Sequence, residues 1–516
     1  MRAFVNDSLR VLIGWAINAL GLMSNRLQPL RISHFKTNQA RLKRRYGITD
    51  ETPIASYGPV IEQSIRAKAR KLGRKPMFAL TSGSTGKPKQ LLYTPQRLRA
   101  LKLTFSDMFM RACNAFQIKR TSLYVFTSFE ADESLTSLLL EEGKLPGYLT
   151  TLQAPYRLQH HPAIRELVAE YGSVAVRLWI LTICNPGVLY ATNPSTISTF
   201  LDELANDWER SSRLIRDWVI RPNSFSSTVH KIAGRLESRG FAERLRQVSR
   251  SPNPLPLSHW APAVEAYICW TGGYVKPFLD RLATHLPSPR YTLIPMYSMS
   301  TETIETLPCF HHRDIAFLPT AAGVVYEFVD EDENVFEAEQ LEPGKLYAMV
   351  VSDLYGLRRY QTDDLFLCKR KVHGLPDLVF VRRRTLEHSF TGEKLTAEQL
   401  SLVFEQLRAS YRVLADRFLT CVPAQPPHYK VLIIGDANRM NHELIAAHCD
   451  EMLCEINCEY RSKRASGRLG AIEVKSCGFK EFINANPAWE TQFKFLPLHL
   501  CLKSEIAVGH SQYHLR

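Results

Sequence analysis

The sequence has no run of the roughly 20 apolar residues that a membrane-spanning helix needs. Its longest approach is Val11 to Met23. It has no CxxC pair, no internal repeat, no low-complexity segment and no basic tail. Each absence removes a class of protein. Eleven cysteines scattered without pairing argue against a disulfide framework and for reduced thiols in the cytoplasm. Cys449, Cys454 and Cys458, beside His448, form the one cluster, but zinc sites use tighter pairs, so a structural role is expected. The formal charge of +14 favours polyanions such as nucleotides. The basic residues are dispersed, and without an RNP sequence or paired zinc ligands a nucleic-acid partner is not indicated. Arg2 and Arg10 ahead of Val11–Met23 resemble the start of a signal peptide, yet no small-x-small cleavage site follows. The expectation is an N-terminal helix buried against the large domain and no stable membrane span.

What is present is a globular composition, with 45% hydrophobic and 22% charged residues over 516 positions. That length exceeds what one core supports, so at least two domains are expected. Residues before about 75 read as helical by their apolar periodicity, Ile61 to Leu72 being one amphipathic stretch. Met77 to Leu80 reads as a strand, followed by a Gly/Ser/Thr/Lys loop and then a helix over Pro95 to Met110. Leu123 to Phe126, Ala263 to Trp270, Tyr291 to Met296, Val324 to Val329, Leu346 to Ser352 and Leu378 to Val381 read as strands, and Pro162 to Trp218 as mostly helical. Beyond Gly392-Glu393-Lys394, helix, strand, helix and strand are expected at Thr396–Leu407, Tyr429–Ile434, Asn441–Glu455 and Ala471–Val474. The domains are drawn at residues 1–386 and 387–516.

Three stretches carry chemistry. In Thr81-Ser82-Gly83-Ser84-Thr85-Gly86-Lys87-Pro88-Lys89 the glycines let successive backbone N–H groups face an anion. The hydroxyls of Ser82, Ser84 and Thr85 add donors, and Lys87 and Lys89 add positive charge for β and γ phosphates. Pro88 stands where a Walker A loop needs Ser or Thr, so this is not that loop. In Ser298-Met299-Ser300-Thr301-Glu302, a hydroxyl next to a carboxylate suits a phosphate with Mg²⁺, Glu302 being the oxygen ligand. In Gly356-Leu357-Arg358-Arg359-Tyr360-Gln361-Thr362-Asp363-Asp364, a carboxylate at a strand end can accept the ribose hydroxyls. His160-His161-Pro162 is similar to an acyltransferase double histidine, but the downstream Asp-Gly is absent and that reading is set aside.

The loop at 81–89 is nearly identical to the phosphate loop of the adenylate-forming superfamily of acyl-CoA synthetases, luciferases and adenylation domains. The segment ending at Asp364 resembles one branch of it, the Gretchen Hagen family of auxin-responsive acyl-acid amido synthetases. Gly392-Glu393-Lys394-Leu395, Asn457-Cys458-Glu459-Tyr460 with Arg464, and Gln492-Phe493-Lys494 follow in that branch's order. The resemblance implies an α/β architecture: a large adenylate-forming domain with β-sheets flanked by helices, and a small mobile α+β domain. It implies ATP and Mg²⁺ as cofactors, a carboxylic acid substrate, and an amine, by analogy an amino acid, as acceptor. Lys494 would stabilise charge on the carboxylate and α-phosphate, Asp364 would hold the ribose, and Arg383 or Arg384 would lie near ribose and phosphate. Thr301 and Glu302 match the family's Ser/Thr-Glu, and Gly272-Gly273 its glycine pair near the adenine. Two departures stand out. The family's adenine-stacking aromatic falls on Ser298, with Tyr297 one place earlier, and the glycine before the ribose aspartate is Asp363. An acyl-CoA ligase on the same fold and a degenerate nucleotide-binding protein are the rival readings. The acyl pocket is expected from Leu123 to Ser137 and the helices through Ile197, and the oligomeric state stays open.

Overall fold

The computed structural model describes residues 2–71, 77–80, 89–127, 129, 135, 158, 160–272, 275–296, 299–311, 314–383, 386–391, 393–435, 440–485 and 495–500. Three helices open the chain: α1 (Arg2–Arg26), α2 (Gln28–Tyr46) and α3 (Pro59–Lys71). Gly47, with φ of 66°, closes α2 by returning its N–H to the carbonyls of Arg44 and Lys43, the left-handed cap that glycine adopts without penalty. α3 buries Ile61, Ile65 and Ala69, one face of the amphipathic stretch read from the sequence.

After α3, β1 (Met77–Leu80) pairs antiparallel with β2 (Gln90–Tyr93), Met77 opposite Tyr93 and Leu80 opposite Gln90. The helix expected directly after the loop is therefore preceded by a second strand. Leu91, Leu92 and Tyr93 are all buried, and so short an apolar run shows no period that identifies it. α4 (Pro95–Ala115) follows, capped by Thr94, whose side chain accepts from the N–H of Arg97, with proline at its start.

A parallel sheet forms the centre of the large domain. β3 (Leu123–Val125), β4 (Val188–Tyr190), β5 (Ala266–Trp270) and β6 (Thr292–Met296) lie in that order, each parallel to its neighbour. β4 falls inside the stretch read as helical; it is three residues between the helices Ser173–Cys184 and Pro194–Asn206. Those helices and their neighbours cover the sheet around Trp179, Phe200, Trp208 and Trp260, and β5 is buried from Ala266 to Cys269, as strands covered on both faces are. His161 serves as a helix cap, its side chain accepting from the N–H of Ala163.

β7 (Leu307–His311) and β8 (Asp314–Leu318) make a hairpin. β9 (Val325–Val329), β10 (Val335–Glu337), β11 (Leu346–Ser352), β12 (Tyr360–Val372) and β13 (Leu375–Arg383) form an antiparallel sheet in the order β10-β9-β11-β12-β13. β9 and β11, both read as strands from the sequence, pair antiparallel. Asp364, expected at a strand end, lies inside β12.

After β13 come the short pair β14 (Glu387–His388) and β15 (Leu395–Thr396) and the helix Ala397–Ser410, entered through a capping box of Thr396 and Gln399. β16 (Phe418–Ala424), absent from the sequence reading, pairs antiparallel with β17 (His428–Ile434), which pairs parallel with β18 (Glu473–Cys477). The Asn-x-x-Tyr-x-x-x-Arg motif is scaffold. Asn457 caps the helix Cys458–Ala465, Tyr460 donates to Asp450 at 2.5 Å, and Arg464 grips both oxygens of Asp450 at 2.8–3.0 Å. Cys454 and Cys458 belong to different helices, and among the described residues no group of three or more His, Cys, Asp or Glu could hold a metal. Phe278, on the helix Lys276–His285 of the large domain, packs on Phe418 and Phe495, with ring centroids 5.7 and 4.2 Å away.

Among the described residues no helix is long and apolar enough to cross a membrane. α1 does pack on α4, but Val11, Leu12 and Trp15 point outward. The expected burial of its apolar residues is not what holds it.

Candidate active site

The carboxyl ends of parallel strands are where open α/β sheets bind ligands, and Thr301 and Glu302 lie just past the end of β6. Two groups pin this segment through its backbone: the Tyr93 hydroxyl donates to the carbonyl of Thr301 at 2.8 Å, and Arg97 donates to the carbonyl of Glu302 at 2.8 Å. The Glu302 side chain is buried. Its Oε1 accepts from Lys89 Nζ at 3.0 Å and from the Tyr360 hydroxyl at 3.3 Å, while Lys89 also donates to the Tyr360 oxygen at 2.8 Å. Three separate parts of the chain thus meet: the last residue of the glycine-rich loop, the segment after β6, and the first residue of β12.

A second layer holds the first. The Arg97 guanidinium sits between the rings of Tyr93 and Tyr355, 4.3 and 4.7 Å from their centroids, and 3.4 Å from Asp353. Burial pushes the Asp353 carboxyl above its usual range, with Arg97 opposing that shift. Asp353 also accepts from the N–H groups of Tyr355 and Leu357 at 2.7 and 3.0 Å, shaping the turn into β12. Gly356 in that turn has φ of 114°, and a Cβ there would lie 2.7 Å from the Ile65 Cα of α3, so only glycine fits. Arg359 serves the scaffold. It is buried, donates to Glu327 at 3.0 Å and reaches the carbonyls of Asp50 and Thr52; Glu327 also accepts from Lys43 at 3.1 Å.

β12 is bulged at the candidate ribose site. Gln361 stands opposite Val350 and Leu365 opposite Ala348, which leaves Thr362, Asp363 and Asp364 facing Met349 alone. The Thr362 hydroxyl donates to the Met349 carbonyl at 3.2 Å, and the N–H of Asp364 returns to that hydroxyl at 3.3 Å. Bulges re-aim side chains beside functional sites. Asp363 takes up the distortion with φ of 64°. This gives the departure from the family pattern a physical meaning. The backbone needs the left-handed region, where glycine is free of strain and aspartate is among the few residues that tolerate it. Asp363→Gly removes a backbone strain of about 1 kcal/mol together with the interactions of the side chain, and a higher melting temperature is expected. A fall in melting temperature would show that those interactions outweigh the strain.

Asp364 is buried and lies four residues along β12 from Tyr360, no more than about 14 Å even for fully extended chain. Its Cα is paired with that of Arg383 in β13, so those two positions of the sequence reading are neighbours. Gly272 also borders this corner: a Cβ there would lie 3.0 Å from Trp270 Nε1 and 3.5 Å from Phe380 Cβ. The Trp270 and Phe380 rings are 5.3 Å apart and those of Phe366 and Phe380 5.8 Å, which joins the end of β5 to the β12–β13 hairpin. Thr81, Ser82, Gly83, Ser84, Thr85, Gly86, Lys87, Gly273, Tyr297, Arg384 and Lys494 lie outside the described residues.

Glu393, from the Gly392–Leu395 motif, is a structural carboxylate. Burial alone would push it up, but the N–H groups of Phe390 and Thr391 and the Thr391 hydroxyl, at 2.8–2.9 Å, hold it below its usual range. The Tyr429 hydroxyl donates to it at 2.9 Å. Two residues carry more of the site than the sequence reading assigned them. Tyr360 lay inside a quoted motif, and Arg97 follows the loop by one strand and a cap; neither has a local signature, since each is defined by partners far away in the chain.

Models of three domains of one family match the chain in order: the GH3 family N-terminal domain over residues 51–290, the central domain over 317–383 and the C-terminal domain over 398–494. The chain belongs to the GH3 family. Its curated relatives include the indole-3-acetic acid-amido synthetase GH3.3 of Arabidopsis thaliana, 26% identical over 207 residues, covering 36% of this chain and 35% of the relative. The jasmonoyl-L-amino acid synthetase JAR4 of Nicotiana attenuata is 29% identical over 167 residues, 29% of this chain and 28% of that one. The GH3 chain thus spans about a third of the length of these relatives in matched sequence. Among solved structures it is similar to AtGH3.15 acyl acid amido synthetase in complex with 2,4-DB, with a TM-score of 0.67 and 15% identity over 98% of this chain and 94% of that one. That likeness is one of fold.

Proposed function

We propose that this GH3 chain adenylates a carboxylic acid with ATP and passes the acyl group to an amine, an amino acid by analogy with its relatives, forming an amide in the cytoplasm. The observation that carries the reading is the Lys89–Glu302–Tyr360 cluster. It sets a lysine from the end of the glycine-rich loop, a buried carboxylate and the Asp364 strand side by side. In the first half-reaction the substrate carboxylate attacks the α-phosphate and pyrophosphate leaves. The loop 81–88 and Lys89 would bind the leaving phosphates, Asp364 the ribose, and Lys494 the charge developing between carboxylate and α-phosphate; catalysis of this kind is positioning and electrostatics. In the second half the amine attacks the acyl carbonyl and AMP departs. The small domain, which we delimit from residue 387, would change orientation between the halves.

The carboxylate of Glu302 is the oxygen donor that Mg²⁺ prefers, and its position after β6 suits a metal shared with phosphate. Mg²⁺, when bound, would neutralise charge on the β and γ phosphates. Lys89 occupies Oε1 in the structure, so its transfer from Glu302 to phosphate would accompany nucleotide binding. Glu302→Gln should raise the Mg²⁺ concentration needed for half-maximal activity by about tenfold, the scale of one lost charged contact. An unaltered metal titration would remove Glu302 from the metal site.

ATP–pyrophosphate exchange across a library of carboxylic acids tests the reading, and product analysis with amino acids or CoA separates amide from thioester formation. Nucleotide binding without exchange for any acid would mean that the fold has been kept without the chemistry.

A further inference from the structure

Helix α1 is amphipathic in the wrong direction for a helix on a soluble surface. The side against the protein is mostly polar and small, with Ile17 packed on the core. Asn6 donates to the carbonyl of Glu237 at 2.7 Å, Arg10 to that of Leu236 at 2.9 Å, Asn18 to that of Ile118 at 2.9 Å, and Ser24 to Asp107 at 2.5 Å. Gly21 brings the helix onto the backbone of α4: a Cβ there would lie 2.0 Å from the carbonyl oxygen of Met110. The outer side carries Phe4, Val11, Leu12, Trp15, Leu22 and Met23, all exposed, Trp15 by 75%. A surface helix normally shows the reverse, and a continuous exposed apolar stripe marks an interaction site. The stripe runs most of a helix about 37 Å long.

Charge selects the occupant. Between Ser8 and Thr49 there is no Asp or Glu, against eight Lys and Arg; Arg10, Arg31 and Lys43 pair with Asp7, Asp107 and Glu327, which leaves five to act outward. Arg26 continues the apolar stripe, and Arg41, Arg44 and Arg45 on α2 are exposed. A second copy of this face across a twofold axis would bring like charges together, whereas an anionic lipid surface attracts them. Trp and Phe on a surface helix suit the boundary between headgroups and acyl chains. Since α1 is not long and apolar enough to cross, it can only lie flat. We propose that α1 is a membrane-surface element whose apolar face enters an anionic leaflet while Arg26 and the α2 arginines meet the headgroups. This assignment is independent of the catalytic reading.

The test is co-sedimentation of the full chain with phosphatidylcholine vesicles, with and without phosphatidylglycerol. Binding is expected to the anionic vesicles and to weaken as salt rises. The paired substitution Leu12→Glu and Trp15→Glu should lower it at least about tenfold, with the melting temperature and pyrophosphate exchange retained, because both side chains face solvent. Arg44→Glu with Arg45→Glu, which leaves α1 untouched, should weaken the same binding. No binding to either vesicle, equal binding to both, or a dimer that the Leu12 and Trp15 substitutions dissociate in the absence of vesicle binding would overturn the proposal.

Discussion

Lys494→Ala is expected to lower ATP–pyrophosphate exchange by about 10²-fold or more, the loss typical of removing one donor that stabilises developing charge. The expectation combines the order of motifs with the contacts of the residues that follow the lysine. Lys494 is followed directly by Phe495, whose ring packs on Phe278 of the large domain at 4.2 Å and on Phe418 of the small domain at 4.4 Å. The carbonyl of the next residue, Leu496, accepts from the Thr420 hydroxyl at 2.7 Å, and that of Pro497 from the N–H of Cys421 at 2.7 Å. Phe495 to Pro497, which follow Lys494 in the sequence, are therefore tied to β16 and to the helix Lys276–His285. The substitution should leave the melting temperature unchanged and should spare acyl transfer from a supplied acyl-adenylate, since the charge it stabilises belongs to the first half-reaction. An exchange rate within a few-fold of the parent would remove Lys494 from the mechanism.

The second large effect is expected at Lys89. Lys89→Met leaves the buried Glu302 without its ammonium partner, and breaking a buried pair from one side costs roughly 3 kcal/mol. Both a lower melting temperature and a loss of exchange are expected, the latter on the order of 10²-fold for a missing phosphate contact. The double variant Lys89→Met with Glu302→Gln separates the two effects. Replacing both charges removes the uncompensated carboxylate, so stability should return most of the way while exchange stays low. Recovery of exchange together with stability would mean that the pair is purely structural, and the proposed transfer of Lys89 to phosphate would fall.

The legible part of this protein was local. Gly83 and Gly86 among hydroxyls and lysines, Thr301 beside Glu302, and Asp364 at the end of a Gly-Leu-Arg-Arg-Tyr stretch could each be read as a pattern, and their order along the chain pointed to the GH3 family. The readings that changed were those that depend on a partner strand. The sequence reading places Asp364 at a strand end, where a carboxylate can accept ribose hydroxyls. In the structure β11 and β13 pair on either side of it and turn the acidic pair into a bulge inside β12. β2 and β4 were missed because strands of three or four residues carry too little periodicity to compete with neighbouring helices. Asn457, Tyr460 and Arg464 were recognised as a motif, but only packing against Lys394 and Asp450 gave them their task.

What the sequence by itself determined was the set of elements with strong local signals, the family, and the chemical types available to a nucleotide site. Only the tertiary structure decided that Lys89 and Glu302, 213 positions apart, form one buried pair with Tyr360. It likewise decided that α1 turns its apolar side to solvent. The reason is the same in both cases: helix and strand propensity act over a few neighbouring residues, whereas a long-range hydrogen bond or a docked helix face is set by strand register and close backbone approach.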